Sequence, residues 1–143
     1  MQIIETKEMS GELSINVIRA GKVAESWTEH NLIVDLGKYR MAELLAGTST
    51  QHIGFVGVGE GTEDPSVFDT GLTNAQYVNA TPQAVGNKAQ FSFTIGTDQA
   101  NGLKISEFGL FGIDKQIFSR RLRKGVIEKD DETEIEGVWT IKL

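Results

Sequence analysis

The run Gly57-Val58-Gly59-Glu60-Gly61 follows an apolar stretch and is the sequence's nearest approach to a phosphate-cradling loop. A dinucleotide fingerprint needs G-x-G-x-x-G, a helix directly after it whose free N–H groups hold the pyrophosphate, and an acid closing a βαβ unit. Here the third Gly comes one position early, Thr62-Glu63-Asp64-Pro65 leads into loop, and no G-x-x-x-x-G-K-S/T run exists. The spacing therefore predicts a tight structural turn and no cofactor. At least one of Gly57, Gly59 and Gly61 should have positive φ or a neighbour too close for a Cβ.

Metal and nucleophile chemistry has little to work with. The only histidines are His30 and His52, with no H-E-x-x-H spacing, and there is no Cys to supply a thiolate. The acids Asp130, Asp131, Glu132 and Glu134 allow weak surface Ca²⁺ binding, but the Gly that an EF-hand loop needs at its sixth position is replaced by Ile135. A solvated hairpin tip is the simpler reading. No G-x-S-x-G elbow assigns a serine nucleophile. Among 20 acids, Glu107 stands out because Ile105, Phe108, Leu110 and Phe111 surround it in sequence. A carboxylate placed so needs a partner, since unpaired burial is expensive, and the expected partners are one of Arg120, Arg121 or Arg123 on the next strand, or backbone amides.

These residues need a scaffold of strands. Leu13 to Arg19 alternates apolar and polar, Ala20-Gly21 makes a turn, and Lys22 to Thr28 returns with Val23 and Trp27 as anchors. Asp35 to Ala46 predicts one helix, capped by Asp35 and stopped by Gly47. Its apolar side carries Gly37, Met41, Leu44 and Leu45, with Lys38, Arg40 and Glu43 elsewhere; Gly37 implies close packing on a sheet. Gln51 to Gly59 reads as a buried strand and residues 60–75 as a long ordered loop. Further strands are expected at Gln90 to Gly96, Leu103 to Ile113, Gln116 to Val126 and Ile135 to Leu143, with turns at Asn101-Gly102 and Asp114-Lys115. In the last strand Ile135, Gly137, Trp139, Ile141 and Leu143 share a face, which places Trp139 in the core. The pattern predicts one domain over residues 1–143, mainly β: an antiparallel β-sandwich or compact barrel with one packed α-helix.

Composition narrows the function classes. With 14 Lys and Arg against 20 Asp and Glu, the formal charge is −6, which opposes non-specific binding to nucleic acid or anionic membranes. Arg120, Arg121, Arg123 and Lys124 do cluster, but within a strand they divide between faces and an acidic run starts at Glu128. A charged strip matched against another subunit is the more economical use for them. No window approaches 18 apolar residues, and acids occupy the N-terminal positions where a signal peptide is basic and apolar, so no membrane insertion is expected. Gly fills 16 of the 143 positions, favouring bulges and close strand contacts.

The order of the landmarks carries a further signal. Asn31-Leu32-Ile33-Val34-Asp35-Leu36-Gly37, Leu44-Leu45-Ala46-Gly47, His52-Ile53 and the Gly57–Gly61 run are followed by Pro65, Asp69-Thr70-Gly71-Leu72 and Asn101-Gly102-Leu103-Lys104-Ile105-Ser106-Glu107-Phe108-Gly109-Leu110-Phe111. With the closing Val138-Trp139-Thr140-Ile141, this resembles a recurrent pattern in small tail proteins of bacteriophages and prophages, over roughly residues 31 to 143. Gly54 and Phe108 depart from it, each standing where the pattern more usually has Ala. The resemblance implies a non-enzymatic, β-rich structural subunit of the tail-fibre or baseplate region, made in the bacterial cytoplasm and assembled into a virion tail or phage-derived particle. It also implies partners: other copies of the chain, as a homotrimer, and other tail or baseplate proteins. Two alternatives belong to other classes. A carbohydrate- or receptor-binding β module, taking a host-surface glycan, needs exposed aromatics, and only Tyr77 and Tyr39 are free for that if Trp27 and Trp139 pack inside. A small hydrolase needs a carboxylate site in a cleft.

Overall fold

The computed structural model describes residues 9–143, so the leader reading of the first eight residues lies outside it. The described chain forms strands β1 (Ser10–Arg19) and β2 (Lys22–Ile33), helix α1 (Asp35–Ala46), then β3 (Ile53–Gly59), β4 (Gln76–Asn79), β5 (Thr81–Val85), β6 (Lys88–Ile95), β7 (Lys104–Gly112), β8 (Ile117–Glu128) and β9 (Thr133–Lys142). Every pairing is antiparallel, in the order β4-β3-β7-β8-β2-β1-β9-β6-β5. Only Ala80 separates the two edge strands β4 and β5, and its N–H donates to the carbonyl of Gly54 at 2.9 Å. The sheet is thus a nearly closed, barrel-like structure whose two edge strands adjoin at Ala80.

Alternation builds the interior. Leu13, Ile15 and Val17 of β1, Phe91, Phe93 and Ile95 of β6, and Ile135, Trp139 and Ile141 of β9 meet Val56, Val58, Phe108 and Leu110 from the opposite wall. A smaller cluster of Val34, Phe111 and Ile117 lies on the far side of that wall, with Phe55, Leu72 and Tyr77 packed on it. The chain turns at Ala20 (φ 49°) and Gly21 (φ 77°), a two-residue hairpin of the hand that matches strand twist.

Four local expectations need correction. Asp35 is not the cap of α1: Val34 occupies that position in extended conformation, held by its N–H to the carbonyl of Phe118, and Asp35 stands in the first turn, where its negative charge suits the helix dipole. On α1, Leu45 is exposed and Arg40 is buried, because the helix lies against β8 with Gly37 at the contact, where a Cβ would overlap the Phe118 backbone, and Arg40 one turn on shares that side. Val23 is exposed near the β1–β2 turn, and Leu143 projects beyond the end of β9 into solvent. Strands β4 and β5 had no periodic signature. β5 is exposed throughout and carries Pro82, which an edge strand tolerates because no N–H is required on its open side.

Candidate functional site

Glu107 sits directly opposite Gly59 in the β3–β7 pairing, and Arg120 sits opposite Gly109, two residues along β7 on the same face as Glu107. Both charged side chains are buried, Glu107 at 1% exposure and Arg120 at 4%. Glu107 accepts three hydrogen bonds: from Arg120 Nε at 2.8 Å, from the Gly61 N–H at 2.5 Å and from the Thr73 N–H at 2.9 Å. Arg120 continues outward to the Asp69 carboxylate at 3.2 Å and the Glu63 carbonyl at 2.8 Å. Asp69 in turn accepts the Ser66 N–H, and Ser106 Oγ donates to the Gly61 carbonyl. The ion network and Ser106 together therefore fasten residues 61 to 73 to the sheet at four backbone points.

Gly59 and Gly61 let this carboxylate fit, and Gly57 makes room for Phe111. A Cβ on Gly59 would lie 2.7 Å from Glu107 Oε2 and from the Thr73 carbonyl; one on Gly61 would overlap the Glu107 carboxylate; one on Gly57 would lie 2.7 Å from the Phe111 ring. None of the three has positive φ, so close approach alone requires glycine here. After Gly61 the chain enters loop and then β4 with no helix, so the geometry that holds a pyrophosphate is not formed. Glu60 secures the other end, accepting from Asn74 Nδ2 at 2.8 Å and from the Lys104 N–H at 2.9 Å. The Asn74 bond first, then the Lys104 N–H, hold its carboxyl below the ordinary value of 4.5.

Arg121 and Arg123 belong to a different place. Arg121 sits opposite Phe108, whose ring is in the main core, so it faces inward while Arg120 faces outward. Strands β2 and β8 pair only at Leu32–Arg120 and Ile33–Ser119. Beyond that pairing, side chains bridge the two strands: Arg121 donates to the His30 carbonyl at 2.9 Å and lies 3.7 Å from Glu29, and Arg123 pairs with Glu25. Trp27 lies between them, 5.9 Å below the Arg123 guanidinium and edge-on to Phe108 at 6.2 Å. Together with Lys124 they line a cleft of about 160 Å³. All three arginines thus find acceptors within their own chain.

The remaining sequence candidates scatter. Trp139 is fully buried in the core, on β9, which is separated from β8 by β1 and β2. His52 bonds its neighbour's carbonyl, and the Asp130 carboxylate accepts from Thr133 Oγ1 and the Glu132 N–H within its own turn. Among the described residues no three His, Asp or Glu side chains converge with metal-ligand spacing. Tyr77 packs on Phe111 at 5.0 Å, while Tyr39 is exposed on α1.

Sequence reasoning missed Asp69 and Arg40. Asp69 had only its place in the Asp69-Thr70-Gly71-Leu72 landmark to mark it. Arg40 donates to Asp114 at 2.7 Å and to Gln116 Oε1 at 2.6 Å, joining α1 to the β7–β8 turn. Its position three residues after Gly37 was the available signal. No protein-family model, curated protein or solved structure matches the chain. Among the described residues no helix is long and apolar enough to cross a membrane.

Proposed function

We propose that this chain is a non-enzymatic structural subunit of a phage or prophage tail, in the fibre or baseplate region, that works by protein–protein assembly. The observation that carries the reading is the use made of the most expensive groups in the molecule. A buried Glu107–Arg120–Asp69 network holds a loop whose Phe68 side chain stands 80% exposed one residue from Asp69. A large aromatic presented on a fastened loop loses little freedom on binding, which is the physics of an interface anchor. A second apolar area supports the same reading: Met41, Leu44, Leu45 and Leu143 line a groove of about 390 Å³ between α1 and the sheet. The partners in this reading are further copies, as a trimer, and other tail proteins, within a virion tail or phage-derived particle.

Sedimentation at micromolar protein tests it. The expected mass is three times 15.7 kDa, and Phe68→Asp should shift it toward monomer while leaving thermal stability near that of the parent. A single monomeric species at both low and physiological salt overturns the homotrimer. A second reading, a glycan- or receptor-binding module, is supported by the trough of about 590 Å³ on the outer sheet face, lined by Ser14, Asn16, Ser26, Thr28, Ser92 and Thr94. Those hydroxyls and amides already pair with one another in part, as Ser14 with Thr28 and Ser26 with Asn16.

A further inference from the structure

We infer that the cleft between β2 and β8 is a binding site for a carboxylate group. Three donors on residues that line it are covered and have no acceptor within hydrogen-bond reach in the protein: Trp27 Nε1, Arg121 Nε and Arg123 NH1. All three are N–H groups, and neither indole nor guanidinium can accept, so an acceptor from outside the chain must complete them, and a carboxylate brings two such oxygens at once. The Arg123 side chain is 7% exposed, which makes an unanswered guanidinium N–H costly there. Trp139 Nε1, the Asn31 amide and Arg40 Nε also lack partners, but none of these residues lines the cleft.

Charge and size set the class of ligand. Arg121, Arg123 and Lys124 face Glu25 and Glu29 across the cleft, leaving one net positive charge. A monoanion balances it; a phosphate dianion meets the two rim carboxylates and is disfavoured. The planar carboxylate matches the guanidinium fork, and the space of about 160 Å³ takes a group of that size. Glu25 and Glu29 are 44% and 54% exposed, so both can swing outward as the ligand enters. The carboxylate comes either from a small free acid or from an acidic side chain of a bound peptide. This site uses neither Phe68 nor the α1 groove, so it stands or falls apart from the assembly reading.

The two tryptophans provide a built-in control. In ¹H–¹⁵N spectra of the whole chain, titration with sodium acetate should move the Trp27 indole resonance saturably, in about the millimolar range expected for so small a ligand, and leave that of buried Trp139 in place. A neutral blocked peptide with one central Glu distinguishes the sources: saturation at lower concentration than acetate assigns the site to acidic side chains, and acetate binding alone assigns it to small acids. Arg123→Lys should weaken acetate about tenfold or more. Glu25→Gln, which removes a rim charge, should tighten it several-fold, a gain that a misfolded protein does not produce. Linear drift of both indoles, an equal response to inorganic phosphate or chloride, or no change in affinity in either variant overturns the proposal.

Discussion

Arg120 and Arg121 are adjacent on β8 and have opposite surroundings. Arg120 points outward into a pocket closed over by residues 61 to 73, and its three partners are two carboxylates and a carbonyl. Arg121, with Arg123 two residues on, points inward to where β2 and β8 part, and each keeps an N–H without an acceptor in the protein. The strand pleat sends the side chains to different faces, but the pleat alone does not decide how well each is satisfied. The outer face receives a long loop supplying backbone N–H groups and Asp69; the inner face receives two half-exposed glutamates from β2 and the carbonyls of His30 and Lys124. A buried charge acts as a fixed strut only where the chain brings enough partners to it.

The strongest way to break this comparison is to remove one carboxylate from each region. Glu107→Ala leaves Arg120 buried and short of its best partner, and should lower unfolding free energy in urea by about 3–5 kcal/mol. Glu25→Ala, beside a cleft open to solvent, should change it by less than about 1 kcal/mol. Equal effects would mean the two regions are not energetically distinct. Next in size, Gly61→Val forces a side chain against the Glu107 carboxylate and should cost about 1–3 kcal/mol, whereas Gly71→Val, with open space around a Cβ, should be close to neutral. Thermal unfolding of the two variants sharpens the claim that the network, rather than loop glycine content, sets the fit.

The smallest effect concerns a third arginine pair. Burial alone would raise the Asp114 pKa, but the Arg40 hydrogen bond, then the Gln116 N–H and the Arg40 charge, hold it below the ordinary 3.8. Its contribution to stability is therefore complete above the unfolded value and is lost as pH falls through the lower, folded one. Asp114→Asn should cost about 1 kcal/mol at pH 7 and flatten the decline in stability below about pH 4. Stability curves that run parallel at pH 3 and pH 7 would assign Asp114 no such role.

Much of this architecture was readable in advance. Strict alternation in β1, β6 and β9 located the inner face, and Gly37 within a helical pattern announced close packing on a sheet, whose strand is β8 at Phe118. An acid between apolar neighbours marked Glu107 as paired, but three nearby arginines made the partner ambiguous until strand register chose Arg120. Asp69, Glu63 and Thr73 were not legible as partners, since the aperiodic loop carries no spacing rule that would place them over Glu107. Nor was the cleft: it exists because β2 and β8 stop pairing after two residues, a long-range property that no local pattern encodes.

Amide hydrogen exchange in Glu107→Gln most directly tests the claim that this carboxylate fastens the 61–73 loop. The substitution conserves shape, but whichever way the amide turns, its NH₂ faces a donor in place of an acceptor facing one. The Gly61 and Thr73 amides, which donate to Glu107 in the parent, should exchange at least about tenfold faster in the variant, while amides of β9 around Trp139 keep their protection. Unchanged exchange at Gly61 and Thr73, with the β9 amides equally unaffected, would contradict the account.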